Sequence, residues 1–426
     1  MRLSEVRALV GVQRPELKAV PRRLAACHDI DDLRRAASRV VPRPVFDYVD
    51  GGADEEVSLA GNQAAFWQWR FMPRTLAGTG SVDTSARVFG ADLSMPLGLA
   101  PTGYTRMMHP AGEIAVVRSA RRHGLPYTLS TMATTAIEDL PPGGFWFQLY
   151  VQRDVGLTKE LVSRAEAAEC PVLMVSTDVT VPGHRLRDER NGLVIPPRLT
   201  PGTLAGIAVR PGYWIRMLSG PGIGFANFAS QPKTIARSAS FFDPAIDWDT
   251  ISQLRSLWPR TLVLKGPLGP ADARRALAAG VDGLVLSNHG GRQLDRTAAP
   301  VELLPLVRAE VGPAMPLLVD SGVRHGADIA VAIALGADAA LIGRAYLYGL
   351  MAGGELGVDR ALDLLAAQFV RTLHLLGIGS VAELRATGRE LVTKITQELY
   401  LGSREGLASR FLPPARSSRL SITTAK

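Results

Sequence analysis

The sequence predicts an α/β fold in which eight parallel strands close into a (β/α)8 TIM barrel. Eight short apolar runs of the 426-residue chain alternate with helix-like segments, most of them rich in alanine or arginine. These runs span residues 96–100, 127–129, 146–149, 172–175, 261–264, 283–286, 317–319 and 339–342. Eight strands are the number that closes such a barrel. An open doubly wound sheet would need a first-turn Gly-x-Gly-x-x-Gly, which is missing here.

Polar or ionisable residues follow the apolar runs at their carboxyl ends. In chain order they are Thr102, Ser130, Gln148 with Tyr150, Asp178, Lys265, His289 with Arg292, Asp320 with Arg324, and Gly343 with Arg344. Strand carboxyl ends meet at one face of a barrel, where catalytic residues of such enzymes lie. The sequence therefore predicts one site drawn from all eight strands.

A polar, basic arm is expected to precede the barrel, over residues 1–44. Within it, Ile30 to Val40 is predicted to form a helix, because Asp31 and Asp32 lie in its first turn. The barrel domain is predicted to span residues 45–391. It begins with a helix end running into the Gly51-Gly52 turn and a helical stretch towards Trp67. Residues 392–426 are predicted to form a C-terminal tail.

The regular alternation breaks after the fourth strand, over residues 192–245. This long insertion contains Pro196-Pro197 and mixes apolar with basic side chains: Trp214, Ile215, Met217, Leu218 and Phe225 beside Arg210, Arg216 and Lys233. An insertion at the catalytic end of a barrel is typical of a lid. This composition also suits a membrane interface, and packing between subunits is a third interpretation.

The last two strands indicate a phosphate site. Asp320-Ser321-Gly322-Val323-Arg324 and Gly343-Arg344 both place small residues beside an arginine just after a strand. Loops in these positions commonly hold phosphate in barrels. Lys265 is expected deep in the bowl near that ligand. From these residues alone, a phosphosugar lyase and a flavin enzyme are both compatible with the pattern.

Composition narrows the class of protein. The formal charge is +8, but arginines are spread along the chain, so nucleic acid is the least favoured anionic partner. Cys27 and Cys170 form no disulfide framework and have no metal-ligand spacing, which suits a reducing cytosol. No metal is expected. Residues 1–20 show no signal-peptide pattern, so we expect a cytoplasmic protein or one bound peripherally to the inner face of the membrane.

The run Ser287-Asn288-His289-Gly290-Gly291-Arg292-Gln293-Leu294-Asp295 resembles the signature loop of the FMN-dependent α-hydroxy-acid oxidases and dehydrogenases. The resemblance extends from about residue 30 to about residue 391 and includes Ala100-Pro101-Thr102-Gly103, Phe147-Gln148-Leu149-Tyr150, Ser176-Thr177-Asp178 and Leu264-Lys265-Gly266. The texture of residues 341–355 is most similar to actinobacterial L-lactate dehydrogenases.

The resemblance implies FMN as cofactor and assigns a role to each site residue. His289 would be the base, Asp178 would orient its ring, and Tyr150 would hydrogen-bond the substrate α-oxygen. Tyr48, Arg185 and Arg292 would bind the substrate carboxylate. The expected FMN ligands are Thr102, Gly103, Ser130, Gln148, Ser176, Lys265, Asp320, Gly322, Arg324, Gly343 and Arg344.

The implied reaction is oxidation of an L-2-hydroxy acid, with L-lactate as the first expectation, to the 2-oxo acid. Electrons would pass to a quinone or another acceptor, and the chain would form a homo-oligomer, with a tetramer expected.

Met132 replaces a tryptophan of many members, and Gly103 replaces an alanine of many oxidases. Met132 changes the shape of the substrate pocket, whereas Gly103 favours a dehydrogenase that passes electrons to a quinone or protein acceptor. An oxygen-using oxidase and an aromatic or longer substrate stay as alternatives. A flavin-free barrel lyase or isomerase is a further alternative.

Overall fold

A computed structural model describes residues 18–192, 210–228 and 242–394. Four helices come first: α1 (Ala19–Ala25), α2 (Ile30–Val40), α3 (Arg43–Asp50) and α4 (Val57–Trp67). Three short strands follow: β1 (Trp69–Phe71), β2 (Ala86–Val88) and β3 (Ala91–Leu93). The predicted helix at residues 30–40 is confirmed. It begins there because the Asp29 side chain caps it, accepting a hydrogen bond from the Asp32 amide at 2.6 Å.

Eight parallel strands form the centre of the molecule. They are β4 (Leu97–Leu99), β5 (Thr128–Ser130), β6 (Trp146–Leu149), β7 (Val172–Ser176), β8 (Thr261–Gly266), β9 (Gly283–Leu286), β10 (Leu317–Val319) and β11 (Ala339–Ile342). Each pairs with its neighbour in sequence, and β11 returns to pair with β4. A parallel bridge between Leu99 and Tyr127 joins β4 to β5, so the predicted barrel is confirmed.

Helices surround these strands. They are α5 (Thr105–Met108), α6 (Gly112–Arg122), α7 (Val155–Ala167), α8 (Leu186–Arg190), α9 (Pro211–Leu218), α10 (Trp248–Leu257), α11 (Pro270–Ala278), α12 (Pro300–Val311), α13 (Gly326–Ala334), α14 (Arg344–Gly353), α15 (Glu355–Leu376) and α16 (Val381–Thr387). Short 3₁₀ turns occupy Ile137–Asp139, Ala226–Phe228 and Gly388–Leu391.

The barrel interior is filled with side chains. Trp146, Met174, Val263 and Leu318 form an inner cluster, separate from the larger core between strands and helices. The hairpin of β2 and β3 contributes to this cluster, and Phe89 at its tip contacts the Trp146 ring edge-on at 5.5 Å. One end of the barrel is therefore plugged, and the opposite end is left for a site.

The N-terminal helices pack against the last barrel helix. Helix α2 lies along α14 and buries Leu33 and Ala37 completely. Helix α3 ends beside the same helix, where the Tyr348 hydroxyl donates to Asp50 at 2.8 Å. Helix α3 is thereby fixed next to the carboxyl ends of the strands, and it carries Tyr48.

The predicted insertion and tail are described only in part. Helix α9 and the Ala226–Phe228 turn belong to the insertion, whereas Pro196, Pro197 and Lys233 lie outside the described residues. A final strand, β12 (Val392–Lys394), pairs antiparallel with β1. The remainder of the predicted tail, residues 395–426, also lies outside them.

Candidate active site

A cavity of about 600 Å³ opens at the carboxyl ends of the barrel strands. This volume lies in the range of small-molecule and cofactor sites. Most residues singled out from the sequence line it: Tyr48, Thr102, Gly103, Ser130, Tyr150, Ser176, Arg185, Lys265, His289, Arg292, Asp320, Gly322, Arg324, Gly343 and Arg344. Asp178 and Gln148 do not line it, but each contacts a residue that does. The predicted convergence at one barrel face is what the structure contains.

His289 and Asp178 form an imidazole–carboxylate pair at this cavity. His289 Nδ1 lies 3.1 and 3.3 Å from the two Asp178 carboxylate oxygens. Burial of the Asp178 carboxyl opposes its ionisation, but the His289 ring lowers its pKa below the usual value. The carboxylate is therefore an acceptor that orients the ring. His289 Nε2 is the remaining ring nitrogen, and Tyr150 is its neighbour.

The Tyr150 hydroxyl lies 3.4 Å from His289 Nε2. Burial raises the pKa of this phenol well above its ordinary value, so the hydroxyl stays protonated and is available as a donor. Phe242, from the end of the insertion, contacts the Tyr150 ring edge-on at 5.3 Å. A group held between Tyr150 and His289 would thus meet one hydrogen-bond donor and one proton acceptor.

Two guanidinium groups flank Tyr48 in the same cavity. Arg292 Cζ lies 5.0 Å from the centroid of the Tyr48 ring, and Arg185 Cζ lies 5.4 Å from it. Arg292 donates to the Tyr48 carbonyl at 2.6 Å. Burial, and then the neighbouring Arg185, lower the pKa of Arg292. Two nearby positive charges favour an anion here, and guanidinium groups bind carboxylates well.

Lys265 and Asp320 form a buried ion pair at the base of the cavity. Lys265 Nζ lies 2.9 Å from Asp320 Oδ2 and donates to Ser287 Oγ at 2.7 Å. The Ser321 hydroxyl donates to the other Asp320 oxygen at 2.7 Å. This network holds the Lys265 ammonium group in a fixed position at the cavity wall.

Two buried donors at the site have no hydrogen-bond partner among the described residues. One is the side-chain nitrogen of Gln148. The oxygen of the same amide accepts from the Ser130 hydroxyl at 3.0 Å. The other is Arg324 Nε, beside the Gly322 turn. Buried donors normally find an acceptor. A ligand with acceptor atoms at both ends fits this donor set, as FMN does through its ring carbonyls and its phosphate.

Gly343 leaves room in the part of the cavity where the sequence predicts a phosphate site. A Cβ atom added there would meet nothing closer than the Thr102 methyl group at 4.0 Å. The Thr102 hydroxyl itself lies 2.7 Å from the Tyr346 hydroxyl. Helices α13 and α14 begin beside Arg324 and Gly343, and their amino termini favour an anion.

Arg344 lines the cavity but is also bonded to the backbone. It donates to the carbonyls of Val49, Gly51 and Gly290 at 2.7 to 2.8 Å. Burial lowers its pKa to about 9, with a smaller contribution from Arg292. Arg344, which the sequence predicts to bind phosphate, therefore also joins the turn after α3 to the His289 loop. Three of its five N–H groups make these bonds, so two remain for a ligand.

The sequence pattern did not indicate the aromatic residues at the mouth of the cavity. Tyr104 contacts the Phe225 ring edge-on at 4.4 Å and lies 6.5 Å from the Tyr48 ring. Phe225, Phe242 and Met132 also line the cavity. Phe225 is buried, so the interpretation of this residue as part of a membrane interface is wrong. Tyr104 directly follows Gly103, and that adjacency was the available signal.

Comparisons with known proteins agree with this geometry. The model of the FMN-dependent dehydrogenase family matches residues 37–391. The chain is 46% identical over 388 residues to a Mycobacterium tuberculosis protein named "Putative L-lactate dehydrogenase", covering 90% of this chain and 94% of that protein. It is 39% identical to (S)-mandelate dehydrogenase of Pseudomonas putida, covering 84% and 92%.

Solved structures are similar as well. The crystal structure of the monotopic membrane protein (S)-mandelate dehydrogenase superposes with a TM-score of 0.83 at 37% identity, covering 87% of this chain and 100% of that one. A mandelate oxidase structure gives a TM-score of 0.74 at 37% identity, covering 84% and 97%. With a family model matched over most of its length and relatives above one-third identity, this chain belongs to the FMN-dependent dehydrogenases that act on α-hydroxy acids.

Proposed function

We propose that this enzyme oxidises an L-2-hydroxy acid to the 2-oxo acid with the residue roles given below. The observation that carries the proposal is one shared cavity. His289, which is paired with Asp178, faces it together with Arg185 and Arg292, and Tyr48 and Tyr150 lie in the same wall. A base beside a carboxylate site is what α-oxidation of a hydroxy acid needs.

FMN would be held along the strand ends. Its ring would contact Gly103, Ser130, Gln148, Ser176 and Lys265, and its phosphate would contact Arg324, Gly343 and Arg344. Thr102, Asp320 and Gly322 are the other expected FMN contacts. Bound FMN supplies a two-electron acceptor. The charge of Lys265 favours negative charge developing close to it, and Asp320 keeps this ammonium in place.

The chain's own residues position the substrate and move its proton. Arg185 and Arg292 bind the carboxylate, and the Tyr48 hydroxyl adds a hydrogen bond, which fixes the α-carbon in the cavity. Tyr150 donates to the α-oxygen. His289 Nε2 accepts the proton that leaves the substrate, and Asp178 stabilises the imidazolium that results. Both a carbanion route and a hydride route use this same base.

The substrate side chain is proposed to be apolar. L-lactate is the first candidate, supported by the lactate dehydrogenase relatives. Tyr104, Met132, Phe225 and Phe242 give the cavity mouth an apolar wall that also suits an aromatic side chain, as in the mandelate dehydrogenase relative. Electron transfer to a quinone or another acceptor is proposed, and Gly103, where many oxidases have alanine, supports it over use of oxygen.

Flavin reduction under nitrogen tests this function. Purified protein is expected to retain FMN and to lose flavin absorbance with L-lactate or (S)-mandelate, at different rates. Comparing a quinone with oxygen as acceptor then separates dehydrogenase from oxidase. A colourless protein that does not take up FMN would overturn the proposal and favour a lyase or isomerase. Retained flavin that none of a panel of 2-hydroxy acids reduces would also overturn it.

Peripheral membrane contact through helix α9 is also proposed. Ile215 and Leu218 are 68% and 84% exposed, and Arg216 lies between them. A helix presenting apolar side chains beside a cation suits a bilayer interface, and one structural neighbour is a monotopic membrane protein. Among the described residues, no helix is long and apolar enough to cross a membrane.

Sedimentation with anionic vesicles tests this contact. Ile215→Ser with Leu218→Ser should reduce the bound fraction. Leu375→Ser, at a 71% exposed site on another helix, is the matched control and should leave binding unchanged. Equal binding of all variants would reject α9 as the contact. The proposed homo-oligomer, with a tetramer expected, is measured by sedimentation velocity on the same samples.

A further inference from the structure

His184 lies between two carboxylates at the edge of the active-site cavity. Its Nδ1 is 3.0 Å from Asp54 Oδ1, and its Nε2 is 3.2 Å from Glu189 Oε1. The ring is 54% exposed and lines the cavity. With a carboxylate at each nitrogen, the ring binds best when both nitrogens carry protons. Neither the family signature loop nor the proton-transfer pair includes this residue.

The two carboxylates belong to different segments. Asp54 lies in the turn that follows helix α3, and Glu189 lies in helix α8. A backbone hydrogen bond also joins the turn after α3 to His184, because the Asp54 amide donates to the His184 carbonyl at 2.9 Å. Helix α3 carries Tyr48, and α8 directly follows Arg185. His184 therefore joins the two segments that hold opposite parts of the carboxylate site.

The segment around His184 is closely packed on its other side. A Cβ atom added at Gly183 would lie 2.2 Å from the Arg292 carbonyl oxygen, so only glycine fits there. The Gly183 amide donates to the Gln293 side chain at 3.0 Å. The start of the segment is thus anchored to the His289–Arg292 loop. His184 is the next fixed point, and Arg185 comes immediately after it.

We propose that His184 is a positioning residue for substrate binding, whose imidazolium bridges Asp54 and Glu189 and so keeps Arg185 beside Tyr48. The inference rests on the proposed function, since it assumes that Arg185 binds the substrate carboxylate. When the bridge weakens, Arg185 loses its fixed distance from Arg292, and affinity for carboxylates falls. The proton transfer by His289 does not pass through this bridge.

The charges around the ring give the bridge a pH dependence. Hydrogen bonds to Asp54, and then to Glu189, raise the pKa of His184. Nearby guanidinium groups are already paired: Arg185 with Asp188, Arg187 with Asp50 and Glu56, and Arg296 with Glu55. Because the pKa of His184 is raised in the bridged state, the bridge is complete when the pH lies below the ordinary histidine pKa. It is lost as pH rises through the raised pKa.

Calorimetric binding of pyruvate to the FMN-loaded enzyme tests the bridge between about pH 6 and about pH 9. Pyruvate carries the carboxylate but is not oxidised. We expect its dissociation constant to rise about threefold over this range in the unmodified enzyme, a size typical of exposed ion pairs. His184→Gln should bind with the weaker constant at every pH. His374→Gln, an exposed histidine near the end of α15, is the matched control and should keep the original profile.

Kinetics on the same variants separate positioning from catalysis. In His184→Gln, KM for L-lactate should rise about threefold while the limiting rate of flavin reduction stays within about twofold. Asp54→Asn should also bind pyruvate with the weaker constant at every pH. Agreement between the two variants shows that the effect does not come from a folding defect in one of them. If pyruvate binding by His184→Gln depended on pH as it does in the unmodified enzyme, the inference would be overturned. A lower limiting rate of flavin reduction with unchanged pyruvate affinity would also overturn it. If no hydroxy acid reduces the flavin, the proposed function fails, while pyruvate binding still tests His184.

Discussion

Replacing His289 by asparagine is the sharpest test of the proposed chemistry. His289 has a φ of 58°, in the left-handed region that asparagine tolerates better than alanine. The asparagine amide is also able to donate to the buried Asp178 carboxylate, so the loop and its charge pairing have a replacement partner. The amide cannot accept a proton at neutral pH. His289→Asn therefore removes the base with little change to the backbone.

The expected loss follows from the role of the base. General acid–base groups contribute about 10²- to 10⁴-fold in rate, which corresponds to about 3–5 kcal/mol of activation free energy. Flavin reduction by L-lactate should slow by that factor in anaerobic stopped-flow measurements, while FMN occupancy and substrate affinity stay close to normal. His374→Asn is the control for the same substitution at an exposed site. A His289→Asn enzyme that reduces its flavin within tenfold of the normal rate would refute the assignment of the base.

Three further variants test other parts of the site. Arg292→Lys loses donors to backbone carbonyls and the paired donors proposed to bind the substrate carboxylate, so KM should rise at least about tenfold; steady-state kinetics showing an unchanged KM would contradict that role. Lys265→Met leaves the Asp320 carboxylate buried without its partner and should lower the free energy of unfolding by about 3–5 kcal/mol in urea. Adding Asp320→Leu should restore most of the loss, and no recovery would argue against the ion pair. Gly291→Ala places a Cβ 2.6 Å from a backbone nitrogen of α4 at a φ of 72°, so thermal denaturation should show a lower Tm, whereas Gly222→Ala, in open space, should not.

The barrel was predictable because strand and helix periodicity is a local property. The runs at residues 146–149, 283–286, 317–319 and 339–342 match the observed strands, and the second predicted strand is displaced by one residue. The residues at strand ends were also predictable, because barrel geometry sends them all to one face. The contacts that Tyr104 and His184 make were not predictable. Their importance depends on contacts with Phe225, Asp54 and Glu189, which are set by how separate loops pack rather than by spacing along the chain.

Arg344 shows a second limit of sequence reasoning. Its position after β11 predicts a phosphate ligand, but the sequence does not show that its side chain also reaches the turn after helix α3. Gly51 accepts from both Arg344, at 2.7 Å, and Arg292, at 3.1 Å. The last carbonyls of a helix have no partner within it and carry partial negative charge.

Two arginines from two different barrel loops satisfy those carbonyls. The same turn therefore follows the helix that carries Tyr48 and holds one arginine of each proposed binding region. In the proposed function, Arg292 belongs to the carboxylate region and Arg344 belongs to the phosphate region. Both arginines are half-buried, and burial lowers the pKa of both guanidinium groups. An anion bound in either region adds opposite charge beside this turn, and so stabilises the arrangement that the other region needs. Cofactor and substrate binding are thus expected to support each other through helix α3, although that helix lies outside the barrel strands.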